Sequence, residues 1–272
     1  MDTVTVSDIQ LEYEIHGTGE PVLFISPVLS DGFVPLLAEP ALSGRYALIR
    51  YHKRGWSGST HRPGPVAVAD HVTDAIGLLD HLGIDRVHVA GHSSGAAVAA
   101  QLAQDRPDRI ATVALLELSL LSVPAGEAFF AQAGPAFQAY ADGDAERAIG
   151  LFLSLVSGMD GERCRTLLDE RLPGSVEQAV KDADTFFGIE LPALAEWRFG
   201  AEEAAAIRQP VLSVLGSDTR PLWVEVAAFL RATVPDVEER VIDGVGHLLH
   251  IERSRPVAEA LARFLARHPL AS

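Results

Sequence analysis

The residues best suited to covalent chemistry lie in one pentapeptide, Gly91-His92-Ser93-Ser94-Gly95. An apolar run from Arg86 to Ala90 precedes it and reads as a buried strand; small residues from Ala96 to Ala103 follow and read as a helix. Strand, G-x-S-x-G and helix in that order form a tight turn that lifts a serine hydroxyl above a sheet edge. The flanking glycines leave room for the turn, and the Ser94 backbone N–H is then aimed at an oxyanion forming beside Ser93. The same residues could also be a plain turn joining strand to helix. A partner base decides, because a serine hydroxyl is a poor nucleophile until its proton is taken. Of ten histidines, His247 has the right setting: Asp243-Gly244-Val245-Gly246-His247 is a glycine-rich loop after the last predicted strand. Such a loop can reach across to Ser93, and His after Ser is the chain order expected here. His250 is expected to begin the next turn as a structural residue, and His88 and His92 to be packing residues.

The elements that must position these groups follow from periodicity. Thr3 to Val6 and Ile9 to Ile15 alternate and predict an antiparallel pair. Val22 to Ile25, Ala47 to Tyr51, Val87 to Ala90 and Ile110 to Leu116 are strand-like runs, and Val68 to Leu82 has helical spacing ending at Gly83. Apolar strands alternating with helices predict a parallel sheet covered on both faces. From Leu121 to Ala205 the rhythm is helical, broken by Gly and Pro. It resumes with a strand at Pro210 to Gly216, a helix at Leu222 to Ala232, a strand at Glu238 to Ile242 and an amphipathic helix at Arg255 to Ala266. The expected fold class is α/β, with a core at 1–120 and 206–272 interrupted by a helical cap at 121–205.

Bulk properties narrow the function classes. The chain has 272 residues, 48% hydrophobic and 22% charged, the composition of a water-soluble globular domain. No basic region followed by an apolar stretch opens it, so no secretion signal is expected. No apolar run approaches the ~20 residues needed to span a bilayer. The single cysteine, Cys164, excludes an internal disulfide and fits a reducing cytoplasm. A net charge of −15 argues against a nucleic acid or an anionic membrane as partner. There is no glycine-rich phosphate loop and no metal-ligand cluster, so neither cofactor nor metal is expected.

The chain resembles the α/β-hydrolase superfamily along nearly its whole length. The resemblance rests on Glu12 to Gly17, on Tyr51-His52-Lys53-Arg54-Gly55-Trp56-Ser57-Gly58-Ser59, on Leu79 to Gly83, on the Ser93 pentapeptide, and on Gly244 to Glu252 with Pro256 to Leu265. It implies a triad of Ser93, an acid and His247. The commoner acid position falls at Thr219 here, with Asp218 one residue early. A second branch, which includes zearalenone-type lactonases, carries a glutamate after the strand that follows the elbow helix, and Glu117 stands there. A carboxylate ending an apolar strand is costly without a partner, and His247 would supply one. Glu117 is taken as the acid, with Asp218 as the alternative. The second oxyanion donor is expected from the loop after Val22 to Ile25. Pro27 has no N–H, which leaves Val28 by alignment. The cap holds nine of the eighteen aromatic residues; Phe187 and Trp197 are the expected substrate contacts, for an apolar small molecule. The implied activity is ester or lactone hydrolysis through an acyl-enzyme, with carbon–carbon bond hydrolysis or cofactor-free perhydrolysis as alternatives. A non-catalytic small-molecule receptor on the same fold is the rival from another class.

Overall fold

In a computed structural model, which describes residues 1–270, every predicted strand is present and all lie in one sheet. The strands are β1 (Asp2–Val6), β2 (Ile9–His16), β3 (Glu20–Ile25), β4 (Tyr46–Tyr51), β5 (Val87–His92), β6 (Ile110–Leu116), β7 (Val211–Gly216) and β8 (Val237–Ile242). Their order is β1-β2-β4-β3-β5-β6-β7-β8. β1 and β2 pair antiparallel, as does β2 with β4; every pairing from β4 onward through β8 is parallel. A parallel arrangement puts the carboxyl ends of β3, β5, β6, β7 and β8 on one edge. The loops carrying Val28, Ser93, Glu117, Asp218 and His247 therefore all emerge there, the usual ligand edge of such a sheet.

Alternation along the central strands divides the core in two. Val22, Phe24, Ala90, Ala114 and Leu116 face one side, packed with Leu261 and Phe264 of the helix Ser254–Arg267. Leu23, Ile25, Val89, Val113 and Leu115 face the other, packed with the helices Val68–His81 and Ser94–Asp105. The helix Ser254–Arg267 keeps Val257, Leu261, Phe264 and Leu265 inward, while Arg255 and Glu259 pair on its exposed face. Those apolar positions recur at three- and four-residue spacing, the stripe expected of a helix lying on a core. β8 is different: Glu238, Glu239, Arg240 and Val241 are all exposed, and charge on an edge strand discourages pairing with another chain.

Small residues let the helix Ser94–Asp105 lie close to the sheet. A Cβ on Gly95 would stand 2.0 Å from the carbonyl oxygen of Ile25, and one on Gly91 would stand 2.3 Å from that of Gly95. Ser93 itself has φ 55°, a strained region for a non-glycine residue. The two glycines thus allow the strand to end, turn and re-enter as helix within a few residues.

The segment 121–205 is helical, as its periodicity predicts. Its longer helices are Pro124–Ala141, Ala145–Ser157 and Gly161–Arg171. Asp144 and Asp160 cap the second and third by accepting the backbone N–H of Arg147 and Arg163. A π-helical turn, Phe186–Glu190, and the helix Leu191–Glu196 follow. Two four-residue helices between β3 and β4, Val34–Leu37 and Pro40–Ser43, were not foreseen; they are too short to show a period. Among the described residues no helix is long and apolar enough to cross a membrane.

Two glycines with opposite surroundings test this packing. Gly95→Ala should destabilise by about 3 kcal/mol or more, because backbone must move to admit the methyl. Gly150→Ala, on the helix Ala145–Ser157 with nothing near its added Cβ, should stabilise by about 0.5–1 kcal/mol. Urea unfolding curves of both variants would measure the contrast.

Candidate active site

Ser93 and Glu117 end neighbouring parallel strands, with His92 of β5 paired to Leu116 of β6. Both residues have positive φ, 55° and 45°. The Ser93 N–H donates to the Leu116 carbonyl at 3.0 Å, and the Glu117 N–H to the Val214 carbonyl at 3.0 Å. Each strand thus ends in a strained residue whose backbone is fixed by the next strand, so both side chains are aimed by the sheet.

Glu117 is 3% exposed, and its carboxylate is supplied with donors on all sides. It accepts from the Gly216 N–H at 2.8 Å, from the Thr219 hydroxyl at 2.8 Å and from His247 Nδ1 at 2.7 Å. The structure brings Ser93, Glu117 and His247 to one place. Asp218 stays apart on the exposed side, where the Ser217 hydroxyl donates to it at 2.7 Å. Thr219, at the commoner acid position, is instead a hydrogen-bond donor to Glu117. The Glu117 contact fixes the proton of His247 on Nδ1 and leaves Nε2 free to accept one.

The imidazole of His247 is clamped by its neighbours. The Trp223 indole stacks on it with centroids 3.8 Å apart, and the His92 ring lies 4.5 Å away. His92 Nε2 donates to the His247 carbonyl at 2.9 Å. His92 is therefore a packing residue, as expected, but one that packs against the site. His250 stacks on His92 at 4.3 Å and on Phe33 at 4.9 Å, and it also borders the cavity. His88 lies remote, hydrogen-bonded to Thr112 at 2.9 Å.

Above Ser93 lies a cavity with an almost entirely apolar wall. Ser94 and Val28 border it, the latter on the loop after β3. That loop is fastened despite its proline. The hydroxyls of Ser30 and Ser57 are 2.8 Å apart, and Asp31 is held by His52 Nε2 at 2.9 Å and by Arg50. The His52 hydrogen bond, aided by Arg50, draws the Asp31 carboxyl down to about 2.

The expected substrate contacts need correction. Phe187 is not on the cavity wall: it is turned into an aromatic cluster, stacked on Tyr140 at 4.9 Å and edge-on to Phe137 at 5.7 Å. Trp197 is not there either: its Nε1 donates to Gln101 at 2.7 Å and its ring stacks on Phe199 at 4.8 Å. The rings that do line the cavity are Phe129, Phe152 and Phe186 from the cap and Trp223 from the helix Pro221–Thr233. Among the described residues no Asp, Glu, Lys or Arg borders it. Aromatic residues in a helical segment give no hint of which ring faces inward, and Trp223 lies outside the cap altogether.

Sequence reasoning also missed how the cap is joined to the site. Glu190, on the π-helical turn, is 4% exposed. It accepts from the Ser94 hydroxyl at 2.5 Å and from Trp56 Nε1 at 3.1 Å, and it pairs with the buried Lys53. A single carboxylate inside Phe186-Phe187-Gly188-Ile189-Glu190-Leu191 was the available signal. Among the described residues, no group of three or more His, Cys, Asp and Glu is arranged to hold a metal ion.

Comparison with known proteins places this geometry. The family model for the alpha/beta hydrolase fold matches residues 15–254. The chain belongs to that family. The RutD protein of Azorhizobium caulinodans, described as a carbamate hydrolase, is 33% identical over 110 residues, 40% of this chain and 41% of that protein. The chain thus spans about two fifths of the length of the carbamate hydrolases it matches. Among solved structures, the enol-lactonase of Burkholderia xenovorans LB400 superposes with a TM-score of 0.79 at 22% identity, covering 97% of this chain and 100% of that one. The hydrolase MGS-M2, from a Medee basin deep-sea metagenome library, gives a TM-score of 0.82 at 17% identity, covering 100% and 99%. At these identities the structural likeness shows a shared fold.

Two predictions follow from the Glu117–His247 contact. Glu117→Gln keeps the shape but favours the wrong histidine tautomer, a change that costs about 10⁴ in kcat in a related triad. Asp218→Asn should lose less than about tenfold, since its carboxylate is exposed and bonded locally. Steady-state kinetics on one p-nitrophenyl ester compares them, and the reverse order would give the role to Asp218.

The second prediction concerns pH. Burial pushes the Glu117 carboxyl up to about 7, against the hydrogen bonds from Gly216 and Thr219, and burial pushes the His247 imidazole down. As pH falls the pair takes one proton, and either location disables the base. On His247 it occupies Nε2; on Glu117 the carboxyl donates to Nδ1 and the imidazole hydrogen moves to Nε2. The acid limb of kcat/KM should therefore have a midpoint well above the ordinary carboxylate value of about 4.3. A profile flat down to about pH 5 would contradict this.

Proposed function

We propose that the protein is a serine hydrolase that cleaves a carboxylic ester or lactone of a neutral, apolar small molecule. The observation that carries this reading is that Ser93 and His247, the latter held by Glu117, border one cavity that no charged side chain among the described residues borders. An apolar wall with a few convergent polar groups suits a small neutral ligand, and an anionic one would meet no cation there.

The chemistry follows from the positions. His247 Nε2 takes the Ser93 proton as Oγ attacks the carbonyl carbon. The oxyanion is met by the N–H of Ser94, at the start of a helix whose positive end adds to the stabilisation, and by that of Val28. His247 then gives its proton to the leaving alcohol, and the acyl group remains on Ser93. Water enters, His247 takes its proton, and the acid is released. In a lactone the leaving alcohol stays tethered to the acyl chain and the product is a hydroxy acid. The residues needed are all present in the chain, and the route calls on no cofactor. Glu117 stays ionised throughout and stabilises the imidazolium.

The decisive variant is Ser93→Ala, expected to lower kcat by about three to six orders of magnitude. A fluorophosphonate should label the wild type at Ser93 and leave Ser93→Ala unlabelled. A panel of p-nitrophenyl esters of increasing acyl length, run beside several lactones, would identify the substrate class. Turnover that survives Ser93→Ala would refute the reading.

A further inference from the structure

The strained turn at Glu117 aims a second side chain at the site. Two residues on, Ser119 folds back over the nucleophile, its N–H donating to the Ser93 carbonyl at 3.2 Å. Its hydroxyl lies 2.9 Å from the Ser93 hydroxyl, and the two are hydrogen-bonded. Ser119 is 8% exposed and borders the cavity. The triad mechanism gives it no task.

Its place in the sheet suggests one. The loop after β3 carries Val28 and lies on one side of β5. The loops after β6 and β8 carry Ser119 and His247 and lie on the other. The oxyanion is thus held on the β3 side, while leaving group and water must approach from the side of His247, which exchanges protons with both. Ser119 is on that side.

Building on the serine-hydrolase reading, we propose that Ser119 is a catalytic residue of the deacylation step, its hydroxyl holding the hydrolytic water beside His247. A water in an apolar cavity needs at least two polar partners to stay. Once Ser93 is acylated its oxygen is an ester oxygen and has lost its proton. The partners left on the attacking side are His247 Nε2 and Ser119 Oγ. The water donates one hydrogen to each. Its oxygen then bonds to the acyl carbon as Nε2 takes the first hydrogen. The C–Oγ bond to Ser93 breaks, the proton on Nε2 passes to Ser93 Oγ, and the carboxylic acid leaves. Ser119 keeps its own proton throughout, and in the resting enzyme the same hydroxyl returns to Ser93.

Ser119→Ala separates this role from a structural one, because acylation and deacylation are read independently. p-Nitrophenolate release gives kcat/KM, which reports acylation. Rapid acid quench followed by intact-protein mass spectrometry gives the decay of the acyl adduct. The expected result is adduct decay slowed roughly 10- to 100-fold, the worth of a hydrogen bond to a reacting group. The value of kcat/KM should fall by clearly less than this, because p-nitrophenolate is a good leaving group and departs without a hydrogen bond from Ser119. Unchanged adduct decay, or a kcat/KM that falls as far as the decay rate, would overturn the proposal. Failure of the underlying reading has its own signature: a wild type that neither carries an acyl adduct nor reacts with a fluorophosphonate at Ser93.

Discussion

A carboxylate removed from water must be supplied with hydrogen bonds or give up its charge, and Glu117 sets that demand on everything around it. It draws an N–H from Gly216 at the end of β7, a hydroxyl from Thr219 just beyond, and Nδ1 from the loop after β8. Three chain segments are thereby tied to the end of β6. Gly216 can approach because it lacks a side chain: a Cβ there would stand 2.3 Å from the Val245 carbonyl oxygen. The loop that carries His247 is thus packed directly on the strand end that feeds the acid. Tautomer, ring position and loop path all answer to one buried charge.

The second buried charge has another task. Glu190 belongs to the cap but receives its hydrogen bonds from the core, through Ser94, Trp56 and Lys53. A buried ion pair often adds little net stability against an apolar replacement, though breaking one partner away is costly. What it supplies is a fixed register. Ser94 is both the proposed oxyanion donor, through its backbone, and the anchor for the cap, through its hydroxyl. The cap and the floor of the cavity therefore meet in one residue. Within the π-helical turn Phe186–Glu190, Phe186 borders the cavity and Glu190 reaches the core.

The sequence made the sheet legible because its central strands are short runs rich in Val, Leu and Ile that alternate along the chain with helical segments and turn residues. The positions of Ser93 and His247 were legible for a related reason: glycines mark the turns where backbone must pass close to backbone. The acid was harder. Both Glu117 and Asp218 follow a strand, and only the strained turn at Glu117 separates a carboxylate aimed at His247 from one facing solvent. Cap contacts were not legible at all. Phe187 and Trp197 have the same chemistry as Phe152 and Phe186; which ring faces inward depends on helix rotation and on partners such as Gln101, and periodicity does not report these. Ser119 has only a weak signal in the sequence, a hydroxyl two residues beyond Glu117.

Three histidines in contact would be a poor arrangement if any were charged. Burial holds His92 and His250 well below the ordinary imidazole range, and each is pushed further down by the imidazoles beside it. His92 also spends its Nε2 hydrogen on the His247 carbonyl, which fixes its tautomer. A positive charge on His92 would raise the electrostatic cost of forming the His247 imidazolium at a ring distance of 4.5 Å. Glu117 would then have to offset two cations. With His92 and His250 kept neutral, its carboxylate has one cation to meet, and on the proposed mechanism that cation exists only while a proton is in transit between Ser93 and the leaving group or water. The apolar packing of Phe33 and Trp223 around the trio therefore acts on the chemistry as much as on the fold.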